Sequence, residues 1–129
     1  MAHTTDISRS VRQSGDMLRI RQEPADGHVL VRVAGEVDLA TAGDLAGQLR
    51  RAQHAVVPPA PVVLDLEEVD FLGSAGLVVL VQEAEACQER GIPLRIVSSS
   101  RSVLRSIGVT GLDKVLTVAP TLREALAFA

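Results

Sequence analysis

Residues 62–81 read VVLDLEEVDFLGSAGLVVLV. The opening five, Val62 to Leu66, are almost uniformly apolar, the pattern of a strand covered on both faces. From about Ser74 the period changes. Leu77, Leu80, Val81, Ala84 and Cys87 recur at helical spacing, with Gln82, Glu83, Glu85 and Glu89 expected to point outward. Between the two patterns stand four small residues, Gly73-Ser74-Ala75-Gly76. A buried strand that feeds a helix is the repeating half of an α/β fold. The small residues at the joint serve either a tight turn or a surface that something else approaches.

The same alternation continues in both directions. Upstream, MLRIRQE (17–23) and GHVLVRVAGE (27–36) alternate at period two, with Leu18 and Ile20, then Val29, Val31 and Val33, on one face. Pro24-Ala25-Asp26-Gly27 between them is a turn signal, which predicts a hairpin. From Thr41 the spacing of Ala42, Leu45, Ala46, Leu49, Ala52 and Val56 predicts a helix, ended by Val57-Pro58-Pro59-Ala60-Pro61. Downstream, Gly91 fits the stop of the second helix. IPLRIVS (92–98) is a further strand. Ser99 or Ser100 caps a short helix holding Val103, Leu104 and Ile107, closed by Gly108. KVLTV (114–118) is the last strand, and Thr121-Leu122-Arg123-Glu124 has the spacing of a capping box that opens a C-terminal helix. The expectation is a single α/β domain over 16–129. Its mixed, mostly parallel sheet has about five strands packed against about four helices. Residues 1–15 are expected to be a flexible leader. In such sheets the loops at the carboxyl ends of the strands commonly carry function, and 70–76 is expected to be one of them.

Composition narrows the function. The chain has 129 residues, 47% hydrophobic and 22% charged, which suits one globular core. Aromatics are 2%, with no Trp or Tyr, so Val, Leu, Ile and Ala must fill that core and base stacking is a poor mode of recognition. A net charge of −3 gives no field for nucleic acid or an anionic membrane. A single cysteine cannot form an internal disulfide, and the three histidines, His3, His28 and His54, show no ligand spacing, so no metal or cofactor is expected. The first 16 residues are polar and do not read as a signal peptide, and the longest apolar run, Leu77 to Val81, is too short to span a bilayer. The cytoplasm is the expected compartment.

Three places carry candidate chemistry. Ser74 is either the N-cap of the helix it opens or an exposed acceptor for phosphate, since a helix N-terminus favours an added anion. It does not fit a nucleophile elbow, because Leu72 stands where glycine is needed and neither His28 nor His54 has an evident carboxylate partner. The GSAG stretch also lacks the length and ending of a phosphate-binding P-loop. No catalytic residue is expected. Glu36 and Asp38, at the end of an apolar strand, are either part of a cap together with Thr41 or an acidic surface beside the Ser74 loop. Cys87 lies on the apolar helical stripe and is expected to behave as a small hydrophobe.

Taken together, three stretches resemble the STAS-domain family of bacterial anti-sigma-factor antagonists. VRVAGEVDLATAGDLAGQL (31–49) is similar to the family's Gly-Glu-x-Asp strand end and helix start. VVLDLEEVDFLGSAGLVVLV (62–81) is similar to its strand, serine loop and helix, and VLRSIGVTGLDKVLTV (103–118) to the segment before its last strand. The resemblance implies a partner, an anti-sigma factor of serine-kinase type, that holds a sigma factor inactive. The unphosphorylated antagonist binds this kinase and frees the sigma factor. Phosphorylation of the antagonist's serine, here Ser74, breaks the complex, and a PP2C-type phosphatase resets it. The implied contact residues are Glu36, Asp38, Thr41, Gly73, Ser74, Ala75 and Gly76. Two positions depart from the pattern: Gly73 replaces an acidic residue and Ala75 replaces a second hydroxyl. The rival readings are a STAS scaffold without phosphorylation and a small-ligand-binding module.

Overall fold

The period-two stretches pair as the alternation requires. In the computed structural model, which describes residues 7–10 and 18–127, with side chains described over 18–127, β2 (Leu18–Ala25) and β3 (His28–Val37) form an antiparallel hairpin. Its turn is Asp26-Gly27, with Gly27 at φ +80°, a conformation that glycine adopts without a steric penalty. Pro24 therefore lies inside β2, opposite Val29. It stands beyond Gln22, the last residue of β2 that pairs with β1, so its missing N–H breaks no ladder on that side.

Thereafter helix and strand alternate. The elements are α1 (Ala42–His54), β4 (Val62–Leu72), α2 (Ser74–Glu89), β5 (Leu94–Val97), α3 (Arg101–Val109), a 3₁₀ turn (Leu112–Lys114), β6 (Thr117–Ala119) and α4 (Leu122–Ala127). With β1 (Ile7–Ser10), the sheet runs β1-β2-β3-β4-β5-β6; β1–β2 and β2–β3 are antiparallel, and β3 to β6 are parallel. The five expected strands and four expected helices are present, and β1 adds a sixth strand. Part of the leader expected over 1–15 is thus an edge strand: a polar segment can satisfy its backbone by pairing even where no apolar period announces it. The remainder of that expectation, residues 1–6 and 11–15, lies outside the described residues.

Helices cover both faces of the sheet. On one, Leu45 and Leu49 of α1, Leu77 and Leu80 of α2, and Val103 and Ile107 of α3 pack on Ile20, Val31, Leu64, Leu66 and Ile96. On the other, Ala125 and Leu122 of α4 close over Leu30, Val63, Val97 and Ala119. This double cover is why every residue from Val62 to Leu66 is buried, Asp65 included. Asp65 is tolerated because Arg32 pairs with it at 3.2 Å and the Glu67 amide donates to its Oδ1 at 2.9 Å.

Four local expectations are corrected. Glu83 is buried rather than outward, because α1 lies against that side of α2. Its carboxylate accepts from Gln53 Nε2 at 2.8 Å and pairs with Arg50 at 3.1 Å. Leu104 is exposed, while α3 continues through Gly108 to Val109, with Thr110 as its C-cap, whose hydroxyl lies 2.9 Å from the Ser106 carbonyl. Lys114, Val115 and Leu116 precede the last strand, since Gly111 at φ +75° turns the chain into the 3₁₀ turn first. The fifth strand is shorter than 92–98, spanning Leu94–Val97. The two capping expectations hold: Ser100 accepts from the Val103 amide at 3.4 Å and Thr121 from the Glu124 amide at 3.1 Å.

Candidate functional site

The carboxyl ends of β3 and β4 meet at one edge of the molecule. Residue 70 was expected in a loop, but β4 runs to Leu72, and Gly73 alone joins it to α2. The pairing of β3 with β4 is irregular here. Arg32 pairs with Asp65 but Ala34 with Glu68, and Gly35 pairs with Val69 but Glu36 with Phe71. Each step places one extra residue in β4, and Gly35 at φ +117° accommodates the second. The bulge at Asp70 shifts the inward–outward phase, so Asp70 and Phe71 are both exposed while Leu72 is buried.

The two strand ends are tied by a hydrogen bond from the Gly73 amide to the Val37 carbonyl, 2.9 Å long. Glu36 and Asp38 flank Val37, so the strand end that carries the acidic pair is bonded to the residue before Ser74. Asp38 is occupied in shaping its loop. Its Oδ1 accepts from the Ala40 amide at 2.9 Å and the Thr41 amide at 3.1 Å, and its carbonyl accepts from the Ala42 amide at 2.9 Å. Thr41 is fully buried; its hydroxyl donates to the Glu36 carbonyl at 2.9 Å and accepts from the Asp38 amide at 3.0 Å. Thr41 therefore holds the loop from inside and presents nothing to a partner. Glu36 is exposed.

The small residues divide by role. A Cβ at Gly76 would lie 2.6 Å from Leu72 Cδ1 and 2.7 Å from Val37 Cγ1, so this glycine is what lets α2 dock on the ends of β3 and β4. A Cβ at Gly73 would meet the Phe71 ring at 2.9 Å. The ring of Phe71 thus borders the space that an acidic side chain at 73 would enter. Ala75 is half-buried against the core. Gly73, not Ser74, is the N-cap of α2, and no side chain caps that end. Ser74 is the first helical residue, exposed, and its hydroxyl has no hydrogen-bond partner among the described residues. The first-turn N–H groups of a helix lack intrahelical acceptors, and with the helix dipole they favour an anion at this position.

Sequence reasoning also missed three exposed apolar side chains on the segments that meet here. Leu39 is 88% exposed in the β3–α1 loop, Phe71 is 48% exposed, and Val78, one turn on from Ser74, is 52% exposed. The signal for Val78 was present. Leu77 to Val81 is apolar all round, so a helix with one solvent face must leave part of it uncovered. The exposure of Phe71 follows from the bulge, which has no comparable signature.

The remaining candidates lie apart from this chemistry. His28 Nδ1 is 3.3 Å from the Asp26 carbonyl and His54 Nδ1 is 2.9 Å from the Arg50 carbonyl; among the described residues neither is bonded to a carboxylate. Cys87 is buried in the core, and its thiol pKa is pushed up to about 11, first by loss of hydration and then by the Glu83 carboxylate, with Arg90 opposing. Among the described residues no three His, Cys, Asp or Glu side chains are grouped to hold a metal ion, and no helix is long and apolar enough to cross a membrane.

The profile of the STAS domain matches residues 19–125. An anti-sigma-F factor antagonist of Mycobacterium tuberculosis, RsfA, is 37% identical over 102 residues, covering 79% of this chain and 80% of that one. The crystal structure of an anti-sigma factor antagonist from Mycobacterium paratuberculosis superposes with a TM-score of 0.78 at 33% identity, covering 89% of this chain and 96% of that one. The anti-sigma factor antagonist SpoIIAA in its unphosphorylated form superposes with a TM-score of 0.61 over 83% of this chain and 92% of its own; at 21% identity this likeness is one of fold.

Proposed function

Because the chain belongs to the STAS-domain family, we propose that it is an anti-sigma-factor antagonist: it binds a serine-kinase-type anti-sigma factor in the cytoplasm and so frees a sigma factor. Phosphorylation at Ser74 switches it off. The observation that carries this reading is the position of Ser74, exposed at the first turn of α2 with its hydroxyl unengaged, next to Gly73, which is bonded to the end of β3, and one turn from exposed Val78. The 37% identity to an antagonist supports the same reading. The contact surface is Glu36, Gly73 and Ser74 with exposed Leu39, Phe71 and Val78. Asp38, Thr41, Ala75 and Gly76 shape it from within.

The switch follows from charge. The Ser74 oxygen attacks the γ-phosphorus of ATP, ADP leaves, and the hydroxyl proton passes to a base on the kinase. The product carries a charge of about −1.5 to −2. In the free antagonist the helix N-terminus solvates that charge. In the complex it is stripped of water against a close-packed partner and faces Glu36 and Asp38, so it is released. A PP2C-type phosphatase restores the hydroxyl.

The test uses the purified serine-kinase-type anti-sigma factors of the source cell. The unmodified chain and Ser74→Ala are expected to bind one of them, and magnesium ATP is expected to place phosphate on Ser74 and weaken binding by more than about tenfold, or 1.4 kcal/mol. Phosphate at Ser98, Ser99, Ser100 or Thr110 with none at Ser74 overturns the acceptor assignment. Binding without any phosphorylation leaves a STAS scaffold. Binding to none of them overturns the antagonist reading.

A further inference from the structure

α4 closes only part of the second face of the sheet, over Leu30, Val63, Val97 and Ala119. Beyond it, β2, β3 and β4 carry charged side chains that the strand register sets in rows. In one row Arg21 stands opposite Arg32, and Arg32 opposite Asp65. That row is neutralised from within. Arg21 donates to Glu23 at 2.9 Å, and Arg32 pairs with Glu23 and with Asp65, each at 3.2 Å. In another row Arg19 stands opposite Ala34, and Ala34 opposite Glu68. Here the middle strand contributes only a methyl group, and Gly35 beside it contributes no side chain. A trough of about 530 Å³ results, lined by Arg19, Ala34, Gly35, Glu68 and Asp70. Through Arg19, Ala34 and Glu68 it continues into a second of about 320 Å³ that reaches Arg21 and Arg32. Arg19, Glu68 and Asp70 are exposed, and their side chains make no ion pair or hydrogen bond among the described residues.

We infer that this trough binds a small ligand with an anionic and a cationic group at its two ends, of the class of the free basic amino acids. The chemistry of the occupant follows from charge complementarity with the lining. The β2 wall offers the Arg19 guanidinium, whose planar fork matches a carboxylate. The β4 wall offers the carboxylates of Glu68 and Asp70, which together match an ammonium or guanidinium. Two strand spacings, roughly 10 Å between Cα positions, separate the walls. An unbranched aliphatic spacer fits between them over Ala34 and Gly35, where no long side chain stands in its way. A ligand with charge of one sign is attracted by one wall and repelled by the other, so the site selects both signs on one molecule. The trough lies on the face of the sheet away from α2, so this site is independent of the reading of Ser74.

The test follows the backbone amide resonances of the full, isotope-labelled chain in low-salt buffer during titration with L-lysine. Saturable shifts are expected at Arg19, Ala34, Gly35, Glu68 and Asp70, with a dissociation constant of about 1 mM or tighter. Cadaverine lacks the carboxylate and norleucine lacks the terminal ammonium; each is expected to bind at least about tenfold more weakly. Arg19→Gln is expected to abolish the preference for lysine over cadaverine. Glu68→Gln combined with Asp70→Asn is expected to abolish the preference over norleucine. Glu89→Gln, which removes an exposed carboxylate of α2, is expected to change neither. The substituted side chains are exposed, so the variants are expected to keep the wild-type spectrum away from the trough, which the same spectra report. Absence of saturable shifts at about 10 mM lysine overturns the site, as do shifts that cadaverine or norleucine reproduces in full. Coupling of Arg19→Gln to Glu68→Gln in a double-mutant unfolding cycle, with lysine silent, assigns the two charges to each other and overturns the inference. Shifts of the same amides with protein concentration, with lysine silent, assign the trough to a second copy and overturn it too.

Discussion

Gly76→Ala separates the two explanations of the small-residue joint. If the glycine exists so that a partner can come close, an added methyl leaves the isolated protein intact or improves it. Alanine is favoured over glycine inside a helix by up to about 1 kcal/mol. The structure assigns the glycine a different task. The new Cβ would stand 2.6 Å from Leu72 Cδ1 and 2.7 Å from Val37 Cγ1. Both neighbours are themselves buried, Leu72 at 2% and Val37 at 0% exposure, so neither can swing into solvent. Overpacking of this kind costs about 1–3 kcal/mol, and two contacts under 3.0 Å place it near the upper end. Set against the helical gain, the net loss is about 1–2 kcal/mol, or roughly 4–8 °C in melting temperature for a chain of this size. Gly47→Ala provides the internal comparison. It is the same change inside α1, but nothing lies within 4 Å of its Cβ. That variant is expected to gain about 0.5–1 kcal/mol. Urea unfolding of the three proteins in one buffer measures both differences. Gly76→Ala as stable as the wild type, or more so, would refute the docking role and return the glycine to the partner's side of the contact.

Thr41→Val preserves shape but deprives the Glu36 carbonyl and the Asp38 amide of their buried partner, so a loss of about 1–3 kcal/mol is expected in the same unfolding assay. Glu83→Ala strands the buried Gln53 amide and releases Arg50, with an expected loss of about 2–3 kcal/mol, whereas Glu83→Gln keeps an acceptor for Gln53 and is expected to cost about 1 kcal/mol. Cys87 favours its neutral form in the folded state, with a pKa of about 11 against 9.0 unperturbed. The unfolded chain loses this proton first, so the thiol's contribution to stability is complete below pH 9 and is lost as pH rises from 9 to 11. Cys87→Ala is expected to flatten the stability profile over that window, and in the wild type a thiol reagent at pH 8 is expected to label Cys87 only once denaturant unfolds the chain.

The order of elements was legible because it rests on local rules. Apolar periods of 2 and 3.6 mark β2, β3, α1 and α2, Gly27 and Gly91 mark turns, and Ser100 and Thr121 mark helix starts, all within a few residues of chain. Ser74 was legible as a singular residue, an isolated hydroxyl among glycines at a strand-to-helix joint. Its surroundings were not. Whether Glu83 faces water depends on where α1 lies, and whether Phe71 points out depends on an extra residue in the β3–β4 ladder, neither of which a linear pattern encodes. Thr41 reads in the sequence either as a cap or, through the family resemblance, as a contact; it is buried, with its hydroxyl held between the Glu36 carbonyl and the Asp38 amide. Gly76 looked like room for a visitor, and the room is filled by Val37, thirty-nine positions earlier in the chain. Sequence determined which segments become strands and helices, since those depend on neighbours in the chain. Tertiary structure alone decided which side chains remain at the Ser74 edge, since exposure there is what is left after distant segments have packed.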